Sequence, residues 1–141
     1  MPSDKSPSHW DLENNPETVK AAAQIPSVEI TVGTQAGDVI NVALQVVDGQ
    51  GMALAQQLSF LAWLSDTAGA AVTGTAPSVG TAIGTDGVII VEHTAEILFE
   101  LLTDADGVLD LDIEEAGADT WYLNVRLPGG AIVSSGAITF A

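Results

Sequence analysis

The residues of this sequence that could perform catalysis are its carboxylates, several of which are closely spaced. A glycosidase needs two carboxyl groups, one acting as general acid and the other as base or nucleophile. The candidate pairs are Glu96 with Glu100, Asp110 with Asp112, and Glu114 with Glu115. However, Asp110, Asp112 and Glu114 alternate with apolar residues, a pattern typical of a strand with one solvated face. We therefore interpret them as surface carboxylates, on a strand that should pair with a polar or basic neighbour such as Arg126.

Nucleophilic catalysis finds little support in the sequence. An activated nucleophile needs a neighbouring base, usually histidine, and the only histidines are His9 and His93. Both are interpreted as surface or turn residues, because His9 lies in a polar N-terminal stretch and His93 at a predicted strand end. The chain has no cysteine and no Gly-x-Ser-x-Gly motif. We therefore expect a protein that is not an enzyme and that uses no cofactor.

A calcium site is the remaining chemical possibility. Asp104, Asp106 and Asp110 surround Gly107 and resemble the start of a loop of oxygen ligands. The 12-residue pattern is incomplete, since Asp110 falls at its seventh position and Glu115 at its twelfth. Asp-Gly turns are also common without metal. We favour an ordinary turn and retain calcium at these three aspartates as the alternative.

The charge of the chain excludes several partners. Nineteen acidic residues against three basic ones give a net charge of −16. Nucleic acids and anionic membranes are bound through Lys and Arg, so neither is expected as a partner. Residues 1–10 lack the apolar core of a signal peptide, and no apolar run reaches the roughly 18 residues of a membrane span. We expect a soluble protein made in a cytoplasm.

The chain has two predicted regions, an N-terminal arm of residues 1–25 and a domain of residues 26–141. The arm holds too few apolar residues to form a core. One short helix is predicted in it, because Asn15 is a good N-cap, Pro16 suits the first helical position, and Pro26 ends it. The domain carries fifteen acids and one arginine, a net charge of −14.

The arm also carries the predicted partner-binding residues, Trp10, Leu12, Val19 and Ile25. Trp10 and Leu12 are large apolar side chains in a polar segment, and buried tryptophans are typical anchors of protein interfaces. We favour docking of this segment on a neighbouring protein subunit. Packing of Trp10 on its own domain remains the alternative.

In the domain, apolar residues recur at every second position, which indicates strands. Ile40–Val46, Gln57–Ser65 and Val108–Glu114 show this pattern, with Leu109, Leu111 and Ile113 facing inward. Thr94–Thr103 fits a helix or a strand, and its length and following turn favour a strand. Asp86-Gly87 between apolar runs predicts a hairpin, and Pro128-Gly129-Gly130 predicts another.

About nine short strands at regular spacing predict an all-β antiparallel sandwich. Jelly-roll and immunoglobulin-like topologies both fit. Within this domain, several segments resemble a family of small proteins from tailed phages and prophages. The segments that carry the resemblance are Val42–Asp48 with Gly51, Phe60–Asp66, Ala82–Gly87, Asp110–Ile113, Glu115–Gly117, Thr120–Leu123, Leu127–Gly130 and Ser135–Ala141.

This resemblance covers residues 28–141 and implies a structural virion protein. The role it implies is decoration or cementing of the capsid exterior, with the major capsid protein as partner and several copies of this chain on the particle surface. The alternative is a tail or fibre module that binds a host receptor. Against that alternative, the predicted loop Asp66–Gly80 contains no aromatic residue.

Overall fold

A computed structural model describes residues 26–141, which form ten β-strands and no helix. None of these residues belongs to a helix that could cross a membrane. The helix predicted between Asn15 and Pro26 lies outside the described residues. The strands are β1 (Ser27–Val32), β2 (Val39–Val47), β3 (Ser59–Ser65), β4 (Gly80–Ile83), β5 (Val88–Thr94), β6 (Leu98–Leu102), β7 (Val108–Glu114), β8 (Asp119–Arg126), β9 (Ile132–Ser134) and β10 (Ile138–Phe140).

These strands form two antiparallel sheets packed as a sandwich, which confirms the predicted fold class. One sheet has four strands in the order β1-β2-β7-β4. The other has six, in the order β10-β8-β3-β6-β5, with β9 also paired to β8. The fold therefore has one strand more than the nine predicted, because the last segment, 131–140, divides into β9 and β10.

The core lies between the sheets and follows the period-two pattern of the sequence. Leu109, Leu111 and Ile113 of β7 face inward and are fully buried, as predicted. Trp121 and Phe140 pack edge to face in the same core, with ring centroids 5.9 Å apart. The inward residues of β2, β3 and β6 are Ile40, Val42, Leu44, Val46, Phe60, Ala62, Leu64, Phe99 and Leu101.

The predicted hairpin at Asp86-Gly87 is wrong. β4 pairs with β7 in the four-stranded sheet, whereas β5 pairs with β6 in the six-stranded sheet. The turn therefore carries the chain from one sheet to the other. β4 instead extends the four-stranded sheet beside β7, and β5 extends the six-stranded sheet beside β6, so a local hairpin would leave one of the two sheets without its edge strand. The hairpin at Pro128–Gly130 is confirmed, since β8 pairs with β9.

Thr94–Thr103 is extended, as favoured, but it contains a turn. Thr94 ends β5, and β6 begins at Leu98. Between them, Glu96 has a φ of 69°, in the left-handed region that side chains other than glycine rarely adopt. This turn forms the β5–β6 hairpin at the edge of the six-stranded sheet.

Candidate functional site

The predicted partner-binding residues Trp10, Leu12, Val19 and Ile25 lie outside the residues that the structure describes. The three aspartates of the alternative calcium site lie within the described residues. The carboxylates of Asp104 and Asp110 accept hydrogen bonds from backbone amides. An oxygen of Asp104 accepts hydrogen bonds from the amides of Asp106 and Val108, both 2.9 Å long, so it caps the β6–β7 turn. Asp106 is exposed on that turn.

Asp110 is buried, whereas the sequence predicted that its side chain lies on a solvated face of β7. It is only 9% exposed. The amide of Asp86 donates to its carboxylate at 2.7 Å, and the amide of Thr85 at 3.0 Å. The side chain of Asn41 donates to both Asp110 and Asp112 at 2.8 Å.

β7 is an interior strand, which explains this correction. It lies between β2 and β4, so the turn after β4 covers the polar side of β7. The polar neighbour across the strand pair is Asn41, opposite Asp112, and not Arg126, which lies on the other sheet. Burial of Asp110 favours its neutral form, but the hydrogen bonds from Asp86, Asn41 and Thr85 outweigh this effect and lower its pKa.

Two of the other candidate catalytic carboxylates, those of Glu96 and Glu115, also make structural contacts. The Thr81 amide donates to the Glu96 carboxylate, and this pair links β4 to the β5–β6 turn. Glu115 accepts from the amide of Gly117 at 2.7 Å and from the amide and hydroxyl of Ser78 at 2.9 and 2.8 Å. These bonds, led by that from Gly117, lower the pKa of Glu115.

Within residues 26–141, no three side chains of His, Asp or Glu are arranged to hold a metal ion. A shallow cavity of about 320 Å³ beside β4 is lined by Glu96, Asp112 and Glu114, whose like charges repel one another. His93 is exposed on β5, and among the described residues it forms no hydrogen bond with a nucleophilic side chain.

The outer face of the six-stranded sheet, which points away from the core, carries apolar side chains that are buried or half-buried. Leu61 and Trp63 of β3 lie on this face. The indole of Trp63 donates to the carbonyl of Ala70 at 2.8 Å, and the amide of Gly69 donates to Asn124 at 2.7 Å. The loop after β3 therefore covers the β3–β8 half of this face at one end.

An apolar groove of about 310 Å³ remains beside this loop. Leu61, Trp63 and Leu98 form its floor, and Val72 lies in its wall. The guanidinium of Arg126 is 5.9 Å from the centre of the Trp63 ring, within range of a cation–π interaction. Arg126 is the only lysine or arginine in the described domain.

Five residues of this face form a row across the sheet, which we call the outer row. Arg126 and Glu100 are the direct neighbours of Leu61 on its two sides. Ile132 pairs with Arg126, and Val91 pairs with Glu100. Directly paired residues of antiparallel strands share a face. The outer row is therefore apolar, basic, apolar, acidic and apolar in order.

Strand β5 is the free edge beyond this row. It pairs with β6 alone among the described strands. Its exposed apolar residues are Val88, Ile90 and Val91, at 53%, 52% and 43% exposure. Register shifts on either side of Val91 bend the strand. An edge strand with apolar side chains and unpaired backbone groups is a surface suited to binding another chain.

Part of this surface has a signal in the sequence. Leu61 and Trp63 place apolar residues on the second face of β3, which indicates that both faces of that strand are covered. The outer row was missed, because its members come from five strands and only their register brings them together. Val88 and Ile90 lie in the apolar run after Asp86-Gly87, but the sequence alone does not place that run at the edge of a sheet.

No family model matches the chain, and no curated protein matches it in sequence. Among solved structures, one similar chain is a β-glucuronidase from glycoside hydrolase family 2. The identity is 13% and the TM-score 0.46, over 83% of this chain and 12% of the enzyme. This chain thus spans about an eighth of the length of that protein.

Proposed function

We propose that this protein is a structural, non-enzymatic component of a phage particle that decorates the capsid exterior and bridges major capsid proteins. The resemblance of residues 28–141 to small phage proteins motivates this role. The observation that carries it is the β5 edge, where Val88 and Ile90 are more than half exposed beside backbone groups that no second described strand pairs with. Apolar residues gathered in this way favour binding of another protein.

The contact mode that fits this edge is strand addition. An extended segment of the capsid protein would pair with β5 through backbone hydrogen bonds, and its side chains would contact Val88 and Ile90. The net charge of −14 on the domain opposes docking on an acidic surface. The accepting segment of the shell would therefore carry basic residues near the paired strand.

Binding through this edge stabilises the shell by mass action. A protein that binds the assembled capsid but not its free subunits shifts the equilibrium toward assembly. Copies that bridge two capsid proteins add contacts at the seams between them. The arm, with Trp10 and Leu12, would provide a second attachment on a neighbouring subunit.

We expect capsids that lack this protein to release their genome at a lower temperature than complete capsids. The reason is the loss of bridging contacts at the seams of the shell. The measurement is DNA release, followed by dye fluorescence during heating, for stripped capsids with and without added protein. Equal release temperatures would contradict the cementing role. Electron microscopy of the particle separates decoration from the tail-fibre alternative, since only decoration places density over the whole shell.

We expect Ile90→Lys to weaken binding to stripped capsids by at least about tenfold, because the substitution places a charge in the apolar contact. Met52→Lys is the matched control: Met52 is 64% exposed, lies outside β5, and should leave binding unchanged. Co-sedimentation with capsids measures both variants. Equal binding of the Ile90→Lys variant and the wild type would exclude the β5 edge as the contact.

A further inference from the structure

We infer that two copies of this chain bind face to face through the outer faces of their six-stranded sheets, about a two-fold axis that runs parallel to β3. The inference concerns the free protein and does not depend on the proposed capsid role. It uses the outer row and the groove beside Trp63, and it shares Val91 with the β5 edge.

The outer row is self-complementary. Leu61 lies at its centre, Arg126 and Glu100 lie one strand away on opposite sides, and Ile132 and Val91 lie two strands away. Neighbouring strands are about 4.8 Å apart. Arg126 and Glu100 are therefore equally distant from the centre, and so are the two outer apolar residues. The sequence of chemical types reads the same from either end, except that the two charges have opposite sign.

A two-fold axis parallel to β3 brings complementary residues of the two outer rows together. It reverses the order of the strands in the second copy while keeping their direction. Leu61 then meets the partner's Leu61, and Arg126 meets the partner's Glu100 in two equivalent ion pairs. Ile132, 44% exposed, meets the partner's Val91, 43% exposed. Sheets packed with aligned strands are the common arrangement of β-sandwiches.

The charges select this axis over the alternative. An axis running across the strands would place Arg126 opposite the partner's Arg126 and Glu100 opposite the partner's Glu100. Like charges placed opposite each other weaken binding across an interface, so they disfavour the axis that runs across the strands. Arg126 is the only lysine or arginine of a domain with fifteen acids, so its position in the row decides which orientation two copies adopt.

The loop after β3 fits the same axis. It is held on the β3–β8 half of the face by the hydrogen bond from Gly69 to Asn124, and within residues 26–141 the β6 half with Leu98 lies in the groove. The two-fold rotation places the loop of one copy over the β6 half of the other. Val72, 39% exposed, then approaches the partner's Leu98 and fills the groove. The same apolar contact occurs twice.

Charge reversal tests the pairing. Sedimentation velocity of the full chain at moderate salt should show a dimer at tens of micromolar, because salt screens the repulsion between the two acidic copies. Arg126→Glu and Glu100→Arg, made separately, should each raise the dimer dissociation constant at least tenfold, since each juxtaposes like charges twice. The double variant should restore dimerisation to near the wild-type level. Met52→Lys changes the charge at an exposed residue outside the strands, so it is the matched control and should dimerise normally.

Circular dichroism melting confirms that each variant is folded; both substituted side chains lie on the outer face, so the fold should persist. A wild-type protein that stays monomeric throughout this range would overturn the inference. So would a dimer that either single reversal leaves intact, or a double variant that stays monomeric. A dimer that binds no capsid would contradict the proposed function alone, and a monomer that binds capsids would contradict this inference alone.

Discussion

Replacing Trp121 with alanine is expected to lower the free energy of unfolding by about 3–5 kcal/mol, the usual cost of deleting a large buried aromatic side chain. Trp121 has no exposed surface and packs edge to face against Phe140. Its indole also donates to the carbonyl of Thr75 at 3.0 Å. The substitution therefore leaves a cavity in the core and releases the long loop before β4 at the same time.

Urea unfolding followed by circular dichroism measures this change, because two tryptophans remain as interfering fluorophores. Trp121→Phe is the matched control. It keeps most of the aromatic packing and loses only the hydrogen bond to Thr75, so we expect a cost of about 1–2 kcal/mol. Equal stability of the alanine variant and the wild type would mean that Trp121 does not belong to the core.

The second large effect is expected from Asp110→Ala, at about 2–3 kcal/mol of unfolding free energy. The carboxylate of Asp110 accepts hydrogen bonds from the amides of Thr85 and Asp86 and from Asn41. Alanine leaves these donors without a partner in a site that is 9% exposed. The turn between β4 and β5 would lose its attachment to β7, and this turn carries the chain between the two sheets.

The lowered pKa of Asp110 adds a pH dependence. A carboxyl group whose pKa is lower in the folded state stabilises the fold above its unfolded pKa of about 3.9. That contribution is lost as the pH falls through the lower folded value. Asp110→Asn removes this contribution, so its stability should fall less than that of the wild type between neutral and strongly acidic pH.

Asp112→Asn is the control for both measurements. Asp112 lies two residues further along the same strand. Among the described residues, its carboxylate accepts a hydrogen bond only from Asn41. Its substitution should change stability by less than about 1 kcal/mol, a typical value for one partly exposed hydrogen bond. Similar losses for Asp112→Asn and Asp110→Ala would show that the β4–β5 turn does not depend on Asp110.

Most strands of this fold could be predicted from the sequence, because alternation reports local environment. Ile40–Val46 and Val108–Glu114 have one apolar side each, and both form strands close to those bounds. The inward residues of β7 were also correct. The Pro128–Gly130 turn was predictable because its residue types favour a tight turn wherever they lie.

The assignment of strands to sheets could not be predicted, because it depends on contacts between distant residues. Asp86-Gly87 has the composition of a hairpin turn, yet its two strands belong to different sheets. Asp110 illustrates the same limit. Its alternation with leucines indicates a solvated side chain, and only the approach of the turn at Thr85 and Asp86 buries it.

The candidate site was less predictable than the fold. Arg126, Leu61 and Glu100 are far apart in sequence, and each has an unremarkable local context. Their alignment follows from the register of β3 with β8 on one side and with β6 on the other. The sequence did indicate the lone arginine of the domain, which is the residue that orients the proposed dimer.

The position of β7 between β2 and β4 also determines when this protein can fold during synthesis. The side chain of Asn41 bonds to Asp110, which lies 69 residues later in the chain. At translation rates of about 5–20 residues per second, β2 waits about 3–14 s for this partner. Until then β1 is the only strand of the four-stranded sheet that can pair with β2, and the other side of β2 has no neighbour. The four-stranded sheet is therefore expected to form only after β7 has been synthesised, and folding is expected to be slow for a domain of this size.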